Sequence, residues 1–188
     1  YFNDLNIQTD CLESLVGAVR FANNTICSEH YIPYLSQMSC VLTVALINLE
    51  TGQMDVCHVG DTRLYILKDE VFTQITHDHS LVGVMEESGQ ISEDAAMRHP
   101  RRNIITRSIG KEILYDDSGY IQTHTLHLEP CTLILCSDGL YDMVHSSQTK
   151  QILQEPIPAD ERVEKLIDAA LEAGGKDNVT VIVIDLMK

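Results

Sequence analysis

The sequence predicts a mixed α+β fold, and three features of its patterning support that class. Residues 40–76 contain four short, β-prone apolar runs that are separated by tight turns. Segments near both ends of the chain repeat their apolar residues at helical spacing. No shift of composition divides the 188 residues, of which 44% are hydrophobic. We therefore expect a single domain over 1–188.

The first half of the chain predicts one helix and a group of strands. Residues 10–28 form an amphipathic pattern, which predicts a helix with Thr9 or Asp10 as its N-cap. Strand-like runs follow at 40–48, 54–59, 63–67 and 71–76. Because turns this short usually join antiparallel neighbours, we expect these runs to form a four-stranded meander.

The second half alternates helical and strand patterning. Residues 77–103 are polar and helical, with a short helix that opens at 92–94 (SED) and closes at His99 and Pro100. Strands are predicted at 104–109, 120–128 and 131–136. Helices are predicted near 147–154 and 159–173. The last strand, 179–186, is apolar almost throughout, which predicts burial on both of its faces.

The composition argues against several classes of function. A net charge of −15 disfavours binding to nucleic acid or to an anionic membrane surface. Six cysteines without CxxC spacing indicate buried free thiols of a reducing compartment, which predicts a cytoplasmic protein without disulfides or zinc. No apolar run approaches the roughly eighteen residues needed to cross a bilayer.

The strand predicted at 131–136 ends in a Ser-Asp-Gly turn with two acids. Asp138 follows the apolar run, Gly139 lets the backbone turn without a Cβ penalty, and Asp142 comes four residues after Asp138. One helical turn would point both carboxylates the same way, and converging carboxylates repel each other without a cation. The alternative is that both acids only cap the turn and the start of a helix.

Three turns of this kind, each with an Asp within two residues of a Gly, stand at the ends of predicted strands. Their residues are 60–63 (GDTR), 137–139 (SDG) and 175–178 (GKDN). The rims of a sheet can gather remote carboxylates around hard cations, so Asp61, Asp138 and Asp177 are candidate metal ligands. In the alternative of a plain globular α/β domain the turns are structural, and Asp138 and Asp177 would lie far apart.

These motifs, in this order, resemble the metal-dependent PP2C family of serine/threonine protein phosphatases, specifically its compact bacterial branch. The matching stretches are 58–65 (HVGDTRLY), 76–82 (THDHSLV), 99–103 (HPRRN), 106–110 (TRSIG), 136–142 (CSDGLYD) and 174–180 (GGKDNVT). The resemblance covers nearly all of the chain from Met38 onward. It implies two stacked antiparallel β-sheets flanked by helices, an α-β-β-α sandwich.

The resemblance implies hydrolysis of phosphoserine and phosphothreonine in proteins. Asp138 and Asp177 would bind a two-metal centre of Mg²⁺ or Mn²⁺, and Asp61 would frame a weaker third site with Asp138 and Asp142. Two such ions lower the pKa of a shared water and place it in line with the phosphorus. The nucleophile is then that water, and no Ser, Cys or His side chain is needed.

Further residues would support this site. Asn178 would orient Asp177, and Gly139 would shape the turn, without binding metal. Residues 77–110 resemble the mobile flap of the bacterial members. The flap region contains a basic cluster suited to phosphate or acidic peptide contacts, formed by Arg98, Arg101, Arg102 and Arg107. The alternative is that these arginines pair with surface acids.

Two departures from the family's pattern lead to an expectation about activity. The family's opening segment with its Asp-Gly-x-Gly-Gly-His motif, and hence its N-terminal strands, has no counterpart here. Residues 39–41 read SCV where relatives show Gly-Thr-Thr. Because Mg²⁺ is held weakly by one or two carboxylates, we expect this chain alone to be impaired.

The resemblance also implies partners and leaves an alternative function. Phosphorylated proteins would be the substrates, a Ser/Thr kinase would be the functional partner, and the protein would be a monomer. The alternative is a catalytically inactive regulatory or binding module that keeps the same fold.

Overall fold

A computed structural model describes residues 11–35, 37–116 and 119–186, which fall into two compact units. Unit 1 comprises the described residues up to Gly60 together with Arg107–Leu128. Unit 2 comprises Asp61–Thr106 together with the described residues from Glu129 onward. Each unit has an antiparallel sheet, helices and an apolar core of its own. The α+β class with two antiparallel sheets is therefore confirmed.

The order of elements follows the predicted pattern closely. The strands are β1 (Leu42–Ile47), β2 (Gln53–Val59), β3 (Arg63–Lys68), β4 (Val71–Gln74), β5 (Gln122–His127), β6 (Cys131–Cys136) and β7 (Val181–Leu186). The helices are α1 (Cys11–Ser28), α2 (Leu81–Glu87), α3 (Glu93–Met97), α4 (Asp138–Tyr141), α5 (Ser146–Leu153) and α6 (Ala159–Glu172). The proposed caps of α1, Thr9 and Asp10, lie outside the described residues.

Unit 1 packs α1 on a three-stranded sheet of order β1-β2-β5. The buried face of α1 presents Leu15, Val16 and Val19 to the same core as Val59 of β2. Asn23 of α1 is fully buried and joins the helix to a loop of the unit. Its side chain donates to the carbonyl oxygen of residue 112 at 2.8 Å and accepts from the backbone N–H of residue 110 at 2.8 Å.

Unit 2 contains a four-stranded sheet of order β4-β3-β6-β7. Its core is formed by β3, β6 and the helices α4, α5 and α6, which bury Ile134, Leu140, Leu153 and Leu166. The strand β6 lies between β3 and β7, because its apolar residues suit an interior strand of a sheet. Its end delivers the Ser-Asp-Gly turn to the edge of the unit 2 sheet.

The expected four-stranded meander is wrong. The strands β1 and β2 pair with each other and with β5, whereas β3 and β4 pair with each other and β3 pairs with β6. A short connection permits a hairpin but does not impose one. Gly60 has a φ of 118°, and a Cβ there would lie 2.3 Å from Val41. The chain leaves one sheet at this glycine and enters the other.

Three other expectations need correction. Residues 104–109 form no strand, because Ile105 and Ile109 make only isolated bridges, to Ser80 and Cys40 respectively. Ile182 of β7 is 50% exposed, so this edge strand of the described sheet is not buried on both faces. The six cysteines are free thiols, but only two of them are buried and two are exposed. No helix in the described part of the chain could span a membrane.

Candidate metal site

Unit 2 contains all four aspartates that the sequence singles out as metal ligands. Asp61 precedes β3, Asp138 begins α4 directly after β6, Asp142 is the C-cap of α4, and Asp177 lies in the loop before β7. The first three are half-buried and Asp177 is exposed. The backbone N–H of Asp142 donates to the carbonyl oxygen of Asp138 at 2.9 Å, which closes the expected single helical turn.

The carboxylates of this group repel one another. Burial raises the pKa of Asp61 to about 6, and the negative charge of Asp138 is the next largest cause. Burial also raises the pKa of Asp138, followed by the charge of Asp177. Asp138 is thus coupled to an acid on each of two other segments, and a cation near it would lower the energy of both pairs.

Arg102 balances the charge of Asp142. Its Nε donates to a carboxylate oxygen of Asp142 at 2.8 Å, and both side chains are largely shielded from solvent. Burial nevertheless raises the pKa of Asp142 to about 6, although the Arg102 guanidinium lowers it. This part of unit 2 therefore combines an acidic group with the fixed cation of Arg102.

The other arginines of the basic cluster have different surroundings. Arg98 lies 4.0 Å from Asp94 on α3 and Arg101 is exposed. Arg107 belongs to unit 1, where its guanidinium donates to the backbone carbonyl of Gly119. The structure thus brings Arg102 to the aspartates, and it gives Arg98 the surface pairing that was the alternative for the whole cluster.

A backbone clamp holds the loop of Asp177 against the start of α4. A Cβ on Gly139 would lie 2.2 Å from the carbonyl oxygen of Asn178, so only glycine allows this approach. The hydroxyl of Ser137 donates to the same carbonyl at 3.2 Å and accepts from the N–H of Thr180 at 3.0 Å. The backbone N–H of Asn178 donates to the carboxylate of Asp177 at 2.7 Å.

Sequence reasoning missed a buried network in unit 2. Arg63 and Asp78 form an ion pair at 2.8 Å, and Tyr141 packs on the guanidinium. The two charged residues stand in stretches that carry the family resemblance, at 58–65 and 76–82, but nothing in their spacing indicates that they meet. Arg63 and Tyr141 line a small cleft together with Arg102 and Asp142.

The donor chemistry of the site suits a hard divalent cation. Within residues 11–35, 37–116 and 119–186, no three His, Cys, Asp or Glu side chains are grouped so as to hold a metal. The aspartates are instead coupled in pairs, Asp61 with Asp138 and Asp138 with Asp177. Mg²⁺ is commonly bound by one or two carboxylates and keeps several waters, so paired carboxylates fit an ion of this kind.

Comparison with known proteins identifies the family. The family model for protein phosphatase 2C matches residues 28–179. The chain belongs to the protein phosphatase 2C family. This PP2C chain is 36% identical over 154 residues to the serine/threonine phosphatase stp of Listeria innocua. The match covers 80% of the chain and 58% of the Listeria protein, so the chain spans little more than half the length of that relative.

Solved PP2C structures share the fold. The serine/threonine phosphatase PstP/Ppp of Mycobacterium tuberculosis matches with a TM-score of 0.84 and 34% identity, over 98% of this chain and 76% of that one. Stp1 of Staphylococcus aureus matches with a TM-score of 0.87 and 27% identity, over 98% and 71%. A structure of the PstP catalytic domain in complex with two manganese ions matches with a TM-score of 0.81 and 32% identity, over 97% and 74%.

Proposed function

We propose that this protein is a metal-dependent phosphatase that hydrolyses phosphoserine and phosphothreonine in proteins. The observation that carries the proposal is the aspartate group of unit 2, in which the charge of Asp138 acts on Asp61 and Asp142 and the charge of Asp177 acts on Asp138. The PP2C relatives support it, since those of Listeria and Mycobacterium are named serine/threonine phosphatases. The PstP catalytic domain binds two manganese ions, which supports Mg²⁺ or Mn²⁺ as cofactor.

The four aspartates would share the work of holding metal. Asp138 and Asp177 would hold the two principal ions, while Asp61 and Asp142 would frame a weaker site with Asp138. When bound, these ions supply Lewis-acid chemistry that activates water for attack on phosphorus and offsets charge on the phosphoryl oxygens.

The surroundings of the aspartates would tune and orient them. Arg102 neutralises part of the charge on Asp142, so this acid would bind an ion less strongly than Asp138 does. The clamp at Gly139 and Ser137 holds the Asp177 loop beside Asp138. Asp177 is exposed, which leaves that side of the site open to a phosphorylated peptide.

Hydrolysis of a phosphothreonine peptide by the purified protein in Mn²⁺ tests this function. Chelation with EDTA should abolish turnover and added Mn²⁺ should restore it. We expect Asp138→Asn to lower kcat/KM by at least about a hundredfold, because it removes a charge that both coupled pairs share. The control Asp168→Asn changes an exposed acid of α6 and should leave the rate unchanged. Turnover that persists in EDTA or in Asp138→Asn would refute the proposal.

The same experiment separates the enzyme from the inactive module of the same fold. A module would bind Mn²⁺ or a phosphopeptide without turnover under every metal condition. The phosphatase names of several relatives favour the enzyme.

Three further properties belong to this proposal. The substrate phosphoproteins would be products of a Ser/Thr kinase, because a kinase is the class of enzyme that forms these phosphoesters. The protein would act in the cytoplasm, which is consistent with six free thiols. It would act as a monomer, and light scattering during gel filtration would test this state.

A further inference from the structure

A buried ion pair forms at the start of β3, two residues after Asp61 in the chain. Arg63 and Asp78 are 7% and 5% exposed. Nε of Arg63 donates to both carboxylate oxygens of Asp78 at 3.1 Å, and Nη2 donates to one of them at 2.8 Å. Nη2 also donates to Glu86 at 2.9 Å. Because the planar guanidinium of Arg63 is hydrogen-bonded to two carboxylates, its orientation is fixed.

The guanidinium of Arg63 packs on the ring of Tyr141. Its Cζ lies 3.8 Å from the ring centroid, which is a cation–π contact shielded from water. Tyr141 is the last residue of α4 and stands between Asp138 and Asp142 in the chain. Its hydroxyl donates to the main-chain carbonyl oxygen of Asp61 at 2.8 Å. The ring therefore connects the ion pair to two of the three segments that carry the acids, the segment of Asp61 and α4 with Asp138 and Asp142.

We infer that Arg63, Asp78 and Tyr141 are positioning residues for the metal site, an inference that rests on the proposed function. The ion pair fixes the ring of Tyr141, and the phenol fixes the main chain of Asp61 against α4. Tyr141 and Asp61 are separated by 80 residues in the sequence, so their spacing depends on such contacts. Metal ligands must be held to within about half an ångström, and the phenol bond supplies this constraint.

The repulsion between the aspartates explains why a constraint is needed. The charge of Asp138 acts on Asp61, and these two carboxylates would move apart in the absence of metal if their segments were free. A bond from the phenol to a backbone carbonyl does not use the carboxylate oxygens. The phenol therefore takes no carboxylate oxygen away from an ion.

The most selective test removes one hydroxyl. Tyr141→Phe keeps the ring under Arg63 and removes the bond to Asp61. Tyr120→Phe is a matched control in unit 1, where that hydroxyl donates to the carbonyl of Ser108 at 2.9 Å and Arg107 lies 5.8 Å above the ring. Calorimetric titration with Mn²⁺ should give a Kd about tenfold higher for Tyr141→Phe, and a wild-type Kd for Tyr120→Phe.

Substitutions at Arg63 test the first step of the chain of contacts. Arg63→Lys retains a charge but cannot grip Asp78 with two parallel bonds, so its Mn²⁺ affinity should fall between those of wild type and Arg63→Met. In phosphopeptide hydrolysis, Tyr141→Phe should lower kcat with little change in KM. A residue that only stabilises the fold would shift the melting temperature without this ordered loss of affinity.

The outcomes separate this inference from the proposed function. A wild-type protein that binds no Mn²⁺ overturns the proposed function and this inference together, whereas slow turnover with intact Mn²⁺ binding is the impairment expected of this chain and leaves the affinity test decisive. A competent wild-type protein whose Tyr141→Phe variant binds Mn²⁺ as tightly as Tyr120→Phe overturns the inference alone. Equal losses of affinity in both tyrosine variants would also contradict it, because the effect would then be one of general stability.

Discussion

The two units satisfy their buried polar groups in different ways. In unit 1 neutral groups do so, since Asn23 bonds a backbone carbonyl and a backbone N–H at 2.8 Å, and the buried Asp55 accepts from the side chains of Gln53 at 2.9 Å and Thr125 at 2.6 Å. In unit 2 the buried carboxylate of Asp78 is instead paired with the buried cation of Arg63. Neutral partners suffice to close a loop onto a helix. Fixed charges are required where several carboxylates must be held together and balanced.

The largest effect on folding should come from removing a buried charge. Arg63→Met leaves Asp78 and Glu86 without their cation, and we expect it to lower the free energy of unfolding by about 3–5 kcal/mol. Asn23→Ala leaves two neutral backbone groups unpaired and should lower it by about 1–3 kcal/mol. Urea unfolding of both variants measures the difference. The double variant Arg63→Met/Asp78→Leu should recover part of the loss, and equal losses in the two single variants would contradict the contrast between units.

Two glycines give a comparison of intermediate size. A Cβ on Gly139 meets the backbone of Asn178 at 2.2 Å, whereas a Cβ on Gly17 of α1 meets nothing within 4 Å. Gly139→Ala should therefore displace the Asp177 loop, lower stability by about 1–3 kcal/mol and weaken Mn²⁺ binding. Gly17→Ala should raise stability by about 0.5–1 kcal/mol through helix propensity and leave Mn²⁺ binding unchanged. Thermal melts with and without Mn²⁺ would show both effects, and a Gly139→Ala variant with wild-type affinity would refute the clamp.

A smaller effect concerns pH. The pKa of Asp61 is raised to about 6 in the folded protein, so the metal-free folded form binds more protons than the unfolded form. The contribution of Asp61 to the free energy of unfolding is present below about pH 4 and is lost as the pH rises through about 6. Relative to Asp61→Asn, the wild type in EDTA should therefore lose melting temperature over this range. In saturating Mn²⁺ the wild type should instead gain melting temperature relative to Asp61→Asn as the pH rises, because the cation favours the ionised carboxylate.

Asn23→Ala serves as the control for this titration, since it removes no ionisable group from unit 1. The difference in melting temperature between Asn23→Ala and the wild type should not change with pH between about 4 and 6. Parallel curves for wild type and Asp61→Asn would show that burial and neighbouring charges do not perturb Asp61.

Local signals in the sequence were enough to predict most elements and the acid-bearing turn. The apolar run of β6, the Gly139 turn and the four-residue spacing of Asp138 and Asp142 are all contiguous, and α4 forms where they indicate. Sheet membership is not local, because β2 and β3 are adjacent in sequence yet pair with partners more than sixty residues away, β5 and β6.

The contacts that position the site were beyond prediction for the same reason. Arg63 and Asp78 are 15 residues apart, with β4 between them, and each could have paired with many surface charges. The phenol of Tyr141 finds a main-chain carbonyl 80 residues away, and no side-chain pattern marks such an acceptor. The Ser-Asp-Gly turn is visible in the sequence. The reason that residue 139 must be glycine, the nearby carbonyl of Asn178, is visible only in the structure.

Direct titration of Mn²⁺ into the purified protein and its Asp138→Asn variant is the measurement that decides whether the aspartates of unit 2 form a metal site. We expect saturable binding to the wild type and to the control Asp168→Asn. We expect at least about a tenfold loss of affinity in Asp138→Asn, because both coupled pairs of carboxylates include this residue. Equal Mn²⁺ affinity in Asp138→Asn and the wild type would contradict a metal site at these residues.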